Sequence, residues 1–420
     1  MRIPTAPSTN SFSESSFGSP LQTLTRRYAG DTRFVALFHY LLSGDDRLAR
    51  QAITLFASSV TPEGLLQSRV PSHVQQLIAG FSLYWILMVA DHFLFFGDKA
   101  FTRAFLPLID GVLEYFACHV DDLGLVSGIE PDIWQYVDWV ASWPASPTGV
   151  DKGVPPSGRA TNRHTFFSML YVHALREAAS LLRGVGRTGL VDEYLARAEA
   201  VSRAVRQHCF DGELFTDSTC DIADDGAYSW HCQSFAVLAG IVEGGSAKRL
   251  LEEGLRRQDR LSKCSYAMKF YEYRAFAQAG LYHLQYPTLV DPWRKMLADN
   301  MSTWAEDDVR QRSDCHAWSA VPLYECLAET TGLYPLEPGC TKIRFAPRLE
   351  LKEALSATVC LGKDIVASVG WTSQGRAVEV VLELNRPVAV VSILPGGEAV
   401  SHGPVDSVRL QWDKHEYLEA

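Results

Sequence analysis

The 420-residue chain reads as mainly α, an (α/α)6 toroid followed by a small C-terminal β-sandwich domain. Two observations predict this. From about Asp31 to Thr331, apolar residues recur at the 3.6-residue spacing of amphipathic helices, and short turns join the segments in pairs. From about Thr341 the period drops to two, the spacing of half-buried strands.

The clearest helical stripe is Phe166, Phe167, Leu170, Tyr171, Ala174, Leu175, Ala178, Leu181 and Leu182. Similar stripes run through Phe34–Leu42, Asp46–Ser58, Phe81–Phe96, Phe101–His119, Val191–Cys209 and His231–Val242. They continue through Ala247–Arg257, Ala267–Leu284, Pro292–Asn300 and Cys315–Thr331. Turns such as Ser43-Gly44-Asp45, Gly97-Asp98, Gly244-Gly245 and Tyr286-Pro287 separate them. Eleven stripes are one short of the twelve helices of such a toroid, so the ring is expected to be open at its first hairpin. In the last part, Val378, Val380, Leu382 and Leu384 alternate with polar residues, as do Val408, Leu410 and Trp412. The expected division is a disordered Ser/Thr/Pro-rich segment over 1–27, the toroid over 28–340 and the β domain over 341–420.

Composition narrows the functional classes. Hydrophobic residues make up 47 % and charged residues 21 %, ordinary for a globular chain with a sizeable core. A net charge of −10 argues against nucleic acid or an anionic membrane surface as the main partner. Nine scattered cysteines without a CxxC pair read as buried thiols in a reducing compartment. No apolar signal-peptide core is visible in residues 1–20, which points to a cytoplasmic location. The most apolar stretch, Ala79–Phe96, carries Asp91 and His92 and reads as a buried helix, not a membrane span.

The long connections 121–161, 211–228 and 301–315 hold most of the Trp, Asp, Glu and His that fall outside the stripes, and loops gathered at one mouth of a rigid scaffold usually carry sites. Asp31, just ahead of a helical stripe, reads most simply as an N-cap. Trp134-Gln135-Tyr136-Val137-Asp138-Trp139 places two tryptophans around a carboxylate. Sugar sites use that pairing, because an aromatic face stacks on pyranose C–H groups while the carboxylate accepts hydroxyl hydrogen bonds. A loop whose tryptophans merely seal the core fits as well. Glu306, Asp314 and His316 lie close together, framed by Trp304 and Trp318. A polar loop with an N-cap at Ser313 or Asp314 accounts for the acids but not for the tryptophans.

No HExxH, EF-hand loop or paired Cys/His spacing is present, so no metal is expected, and no GxGxxG or Walker loop suggests a cofactor. Gly-x-Ser-x-Gly is absent too. Carboxylate chemistry in an aromatic-lined mouth remains.

Taken together, these segments resemble the α-L-rhamnosidases of glycoside hydrolase family 78, six-hairpin glycosidases. Arg312-Ser313-Asp314-Cys315-His316-Ala317-Trp318-Ser319-Ala320 carries most of the likeness, followed by Pro322-Leu323-Tyr324 and Gly332 to Gly339. Thr303-Trp304-Ala305-Glu306, Gly30-Asp31-Thr32-Arg33, Phe81-Ser82-Leu83-Tyr84-Trp85 and the segment from Trp134 to Trp139 also match, so the resemblance runs from about Tyr28 to Pro347. It implies inverting hydrolysis by two carboxyl groups without a metal or other cofactor. Glu306 would be the general base, Asp31 would bind rhamnose hydroxyls and His316 would contact the sugar. Asp138 and Asp314 would be substrate-binding residues, with Trp85, Trp134 and Trp139 as the apolar wall.

The sequence departs from the family in two places. The general-acid glutamate is expected seven residues before Asp31, where this chain has Leu24, and 19–27 holds no carboxylate. The β modules and first helix that normally precede the toroid are not in this sequence, so a chain shortened at its front is expected. The expected function is hydrolysis of terminal α-L-rhamnosides or rhamnosylated small molecules, and the expected partner is a carbohydrate or glycosylated small molecule. Two alternatives stand beside it. One is a sugar-binding protein that has lost the acid; the other is an α-solenoid interaction protein, against which the tryptophan–carboxylate loops argue.

Overall fold

The computed structural model describes residues 27–143, 152–222, 227–308, 313–375 and 377–414. Leu24, Arg312 and all but Arg27 of the 1–27 segment lie outside the described residues. Arg27–Tyr28 forms β1, paired antiparallel with β2 (Arg69–Val70), and leads directly into the first helix.

Six helices make an inner ring: α1 (Ala29–Ser43), α3 (Ala79–Phe96), α5 (Thr165–Gly184), α7 (Trp230–Leu238), α9 (Lys269–Gln278) and α11 (Val321–Tyr324, continued as a wider turn through Thr330). Each packs on the next from α1 to α9, and α11 returns against α1. Phe270 of α9 closes the last gap edge-on to Tyr324, with ring centroids 5.0 Å apart. Between them in the chain run α2 (Arg47–Ala57), α4 (Leu106–Cys118), α6 (Val191–His208), α8 (Gly244–Arg256) and α10 (Asp291–Ala298). Among the described residues, α1 has no outer helix preceding it, so the ring is one outer helix short of twelve, as the stripe count predicts.

Inner and outer helices differ for a physical reason. An inner helix faces the axis on one side and the outer layer on the other, so α3 is buried along almost its whole length. It is long and apolar enough to cross a membrane, yet its apolar surface is spent inside the toroid. An outer helix needs only one apolar stripe; α8 buries Ala247, Leu250, Leu251 and Gly254 and leaves its charges outside. Gly44 and Gly97 end α1 and α3 in the left-handed conformation, each N–H bonding back into the last turn.

Three stripes are shorter in the structure than in the sequence. Phe101–His119 divides into Lys99–Arg103 and α4, with Pro107 in the first turn of the second helix. Ala267–Leu284 divides at Ala279-Gly280 into α9 and Tyr282–Gln285. Cys315–Thr331 makes a 3-10 turn at Ala317–Ser319 and becomes α-helical at Val321, where Pro322 fits the first turn; His316 ahead of both is extended, with φ −133 and ψ 105.

The strands expected to make a sandwich form one curled six-stranded sheet: β3 (Leu333–Pro335), β4 (Lys342–Phe345), β7 (Ala377–Ser392), β6 (Val366–Gln374) and β5 (Ala354–Cys360), with β8 (Val400–Asp413) also on β7. The first half of β7 pairs with β6 and the second half with parallel β4, while β8 follows both. The register breaks between Glu383 and Val388, where the strand bends. Val378, Val380, Leu382 and Leu384 point into the core, as their period requires. The sheet takes in β3, ahead of Thr341, because a three-residue strand is too short to show a period. Of the cysteines, Cys209, Cys232, Cys264 and Cys340 are buried, but Cys118 and Cys326 are exposed, contrary to the expectation for the whole set.

Candidate active site

The inner helices all begin at the same end of the toroid, and the long loops cover that end. Asp31 is the third residue of α1, and the helix cap is Tyr28, whose side chain makes no capping bond. The N-cap reading of Asp31 therefore fails. Its carboxylate instead faces the ring, and Oδ1 accepts from His316 Nε2 at 2.7 Å. An imidazole N–H is the donor such a bond to a carboxylate calls for. The other imidazole nitrogen, Nδ1, stands 3.9 Å from Glu306 Oε2. Glu306 is 3 % exposed, and its Oε1 accepts from Trp139 Nε1 at 3.2 Å. One histidine thus lies between two carboxylates that are far apart in the chain.

The backbone around Glu306 is fixed from several sides. Its N–H donates to Ser313 O at 2.8 Å, and its carbonyl accepts from Trp318 Nε1 at 2.8 Å. His316 N donates to Trp304 O at 2.6 Å, and the His316 ring lies against Trp318 with centroids 4.9 Å apart. The tryptophans that framed this segment in the sequence are its scaffold. They set where the carboxylate and imidazole point.

An aromatic wall rises beside Glu306. Trp134, Tyr136 and Trp139 meet at centroid distances of 4.9 to 6.0 Å. Phe81, in the first turn of α3, continues the wall to Tyr136 and Tyr28. Gly30 lies against Phe81; a Cβ there would sit 3.1 Å from the ring, so a larger residue would make the ring give way by a few tenths of an ångström.

Three of the sequence candidates lie elsewhere or act indirectly. Trp85 is 0 % exposed, packs edge-on against Phe105 and donates its indole N–H to Ile53 O of α2 at 3.1 Å. It sits one residue beyond Tyr84 on α3, and that step turns it from the axis to the outer layer. Trp85→Phe is expected to cost about 1–3 kcal/mol, since it strands a buried acceptor; thermal melts of wild type and variant check this. Asp138 is 1 % exposed and accepts from His231 Nε2 at 2.7 Å, Ser265 N at 2.8 Å and Trp139 N at 2.8 Å. Those bonds pin the aromatic loop to α7 and to the segment before α9, so Asp138 positions Trp139. Asp314 is exposed, and its backbone carbonyl accepts from Thr303 Oγ1.

Tyr136, Phe81 and His231 were not singled out from sequence. Tyr136 lies within the Trp134–Trp139 motif and Phe81 opens the Phe81–Trp85 segment, and those were the available signals; His231 gave none beyond its helical spacing. Among the described residues, no group of three or more His, Cys, Asp or Glu could hold a metal ion. What the geometry offers is a buried carboxylate able to take a proton, a histidine–aspartate pair able to bind hydroxyls, and an aromatic face.

The bacterial alpha-L-rhamnosidase 6 hairpin glycosidase domain matches residues 25–257, more than half of the chain. The chain belongs to this family of six-hairpin glycosidases. Comparison with curated proteins gives no match. Among solved structures, the family 78 rhamnosidase of Bacillus sp. GL1 is similar over 88 % of this chain and 38 % of its own, with 23 % identity and a TM-score of 0.74. The Streptomyces avermitilis α-L-rhamnosidase, complexed with L-rhamnose, covers 92 % of this chain and 38 % of its own, at 14 % identity and a TM-score of 0.68. A Klebsiella oxytoca rhamnosidase with rhamnose bound covers 72 % and 58 %, at 18 % identity and a TM-score of 0.59. These likenesses show the toroid with its β domain. The chain spans well under two thirds of the length of each.

Proposed function

We propose that the chain acts on terminal α-L-rhamnosides by inverting hydrolysis, with Glu306 as general base. The observation that carries this reading is the Asp31–His316–Glu306–Trp139 constellation at the helix-start end of the toroid. In the proposed step, Glu306 takes a proton from a water whose oxygen bonds to the anomeric carbon. The glycosidic C–O bond breaks on the opposite face and its electron pair leaves with the aglycone. Asp31 and His316 hold sugar hydroxyls, and the Trp134–Trp139 wall meets the apolar face. Two rhamnosidases of the same fold have been solved with rhamnose bound, which supports L-rhamnose as the sugar.

Leu24 stands where the family resemblance places the proton donor, and leucine cannot donate. The leaving group must then depart as an anion. General acid catalysis is worth about 10²–10⁴-fold, so the wild type should prefer 4-nitrophenyl α-L-rhamnoside over an alkyl rhamnoside by a factor of that order beyond the usual reactivity difference. Leu24→Glu should raise activity on the alkyl substrate and narrow the gap. Ordinary turnover of the alkyl rhamnoside by wild type would mean that another group supplies the proton. Binding of L-rhamnose with no turnover of either substrate would make the protein a sugar binder, the second reading that Leu24 favours.

A further inference from the structure

The other end of the toroid, where the inner helices finish, holds a cavity of about 920 Å³. Leu94 and Phe95 of α3, Gly184 of α5, Leu238 of α7 and Gln278 of α9 line it, all at helix ends. None of Asp31, His316 or Glu306 reaches it. Between the two ends, Tyr84 stacks on Tyr271, and Arg33 spans from Tyr271 OH to both oxygens of Asp91. Exposed Arg183 and Leu336 mark the side open to solvent.

The charges lining the cavity do not balance locally. Arg33 is neutralised by Asp91, and Arg274 and Arg348 are held by Glu325 and Glu329. Arg344 of β4 has no carboxylate within ion-pair distance among the described residues, and its buried Nε has no hydrogen-bond partner there. Its guanidinium stands 5.7 Å from the Tyr334 ring centre. Across from it, Glu177 of α5 also lines the cavity, and burial, reinforced by Asp91, pushes its carboxyl up to about 7. His173, one turn earlier, is held by burial down at about 3 and is neutral. Arg344 is half-buried with its Nε enclosed, and a guanidinium fork matches a carboxylate in two parallel bonds.

We infer that this cavity is a second binding site, for a small hydroxylated carboxylate whose anionic group pairs with Arg344. Among the described residues, Arg344 is the half-buried arginine of the cavity without a carboxylate partner, while exposed Arg183 stands at the rim; a monoanion matches the one charge of Arg344, and a phosphate dianion would bring a second charge beside Glu177. Tyr271 and Tyr334 offer aromatic faces, and His173 and Gln278 offer hydroxyl partners. The volume falls within the range of small-molecule pockets, about 300–1,000 Å³.

The test uses the full chain and isothermal titration with D-glucuronate, D-glucose, inorganic phosphate and L-rhamnose. D-Glucuronate should bind at least tenfold more tightly than D-glucose or phosphate. Saturating L-rhamnose and the Glu306→Gln substitution should leave that affinity unchanged, whereas Arg344→Met should weaken it at least tenfold. A thermal midpoint of the wild type that rises with D-glucuronate, but not with D-glucose in sodium chloride of equal ionic strength, gives a readout that needs no variant. Absence of D-glucuronate binding, equal binding of glucose or phosphate, displacement by L-rhamnose, or an unaffected Arg344→Met variant would each overturn the assignment.

Discussion

Glu306→Gln is expected to cut turnover of 4-nitrophenyl α-L-rhamnoside by about 10²–10⁴-fold while leaving L-rhamnose affinity near the wild-type value. The amide matches the carboxylate in size, and its oxygen can keep the bond from Trp139 Nε1, now 3.2 Å long. Its nitrogen would take the place of Glu306 Oε2, 3.9 Å from His316 Nδ1. The site is therefore disturbed little as a binding surface. What is lost is the capacity to accept a proton from water. The measurement is kcat/KM with the aryl substrate beside a calorimetric Kd for L-rhamnose. Turnover within tenfold of wild type would show that Glu306 is not the base, and joint loss of activity and binding would assign it a structural role.

The toroid is legible in the sequence because each inner helix is apolar on two sides and each outer helix on one, and both patterns repeat. The Glu306–His316 segment is legible because a histidine and a glutamate framed by tryptophans have no simple use in a core. Trp85 and Asp138 carry the same residue types, and sequence alone could not separate them from the mouth. Trp85 is set apart by a single residue step around α3, which exchanges the axis for the outer layer. Asp138 is set apart by His231 and Ser265, partners that only the closed ring brings to it. Asp314 lies in a bend, where no period separates inside from outside. The β domain shows the same limit: alternation gives the buried face of β7, but the bend that turns a sandwich into one curled sheet lies at a register shift that alternation does not record.

The helix-start end and the helix-finish end of the ring also differ electrostatically. Helix starts carry partial positive charge and favour anions, which suits Asp31 and Glu306; helix finishes favour cations. Several arginines line the cavity at the finishing end, and most are matched by acids. That matching is concentrated in one network, which joins the ring to the sheet.

Arg274→Met is expected to destabilise the protein by about 3–5 kcal/mol at pH 8, the usual cost of removing one partner from a buried ion pair, and by clearly less at pH 5. Arg274 of α9 bonds Glu325 and Glu329 of α11, and Arg348, on the way from β4 to β5, bonds Glu329 at 3.0 Å through Nε. Tyr282 OH donates to Glu325 at 2.7 Å, and the Arg274 guanidinium lies 4.9 Å from the Tyr324 ring centre. Glu325 is wholly buried and Glu329 nearly so. Burial pushes Glu325 up to about 7 against the pull of Arg274. Burial also opposes the Glu329 carboxylate, but Arg274 and Arg348 outweigh it and hold the group at about 2. The signs then separate. Glu329, depressed in the folded state, contributes stability above its unfolded value that is lost only as pH falls toward 2. Glu325, raised in the folded state, costs stability as pH rises from its unfolded value through 7. Without Arg274, two neighbouring buried carboxylates share one remaining cation, and at pH 8 both are pressed to ionise. At pH 5 one can hold a proton, and that removes most of the repulsion. Thermal midpoints of wild type and variant at pH 5 and pH 8 make the comparison; equal losses at the two pH values would show that packing of the guanidinium, and not its charge, holds α9 to α11.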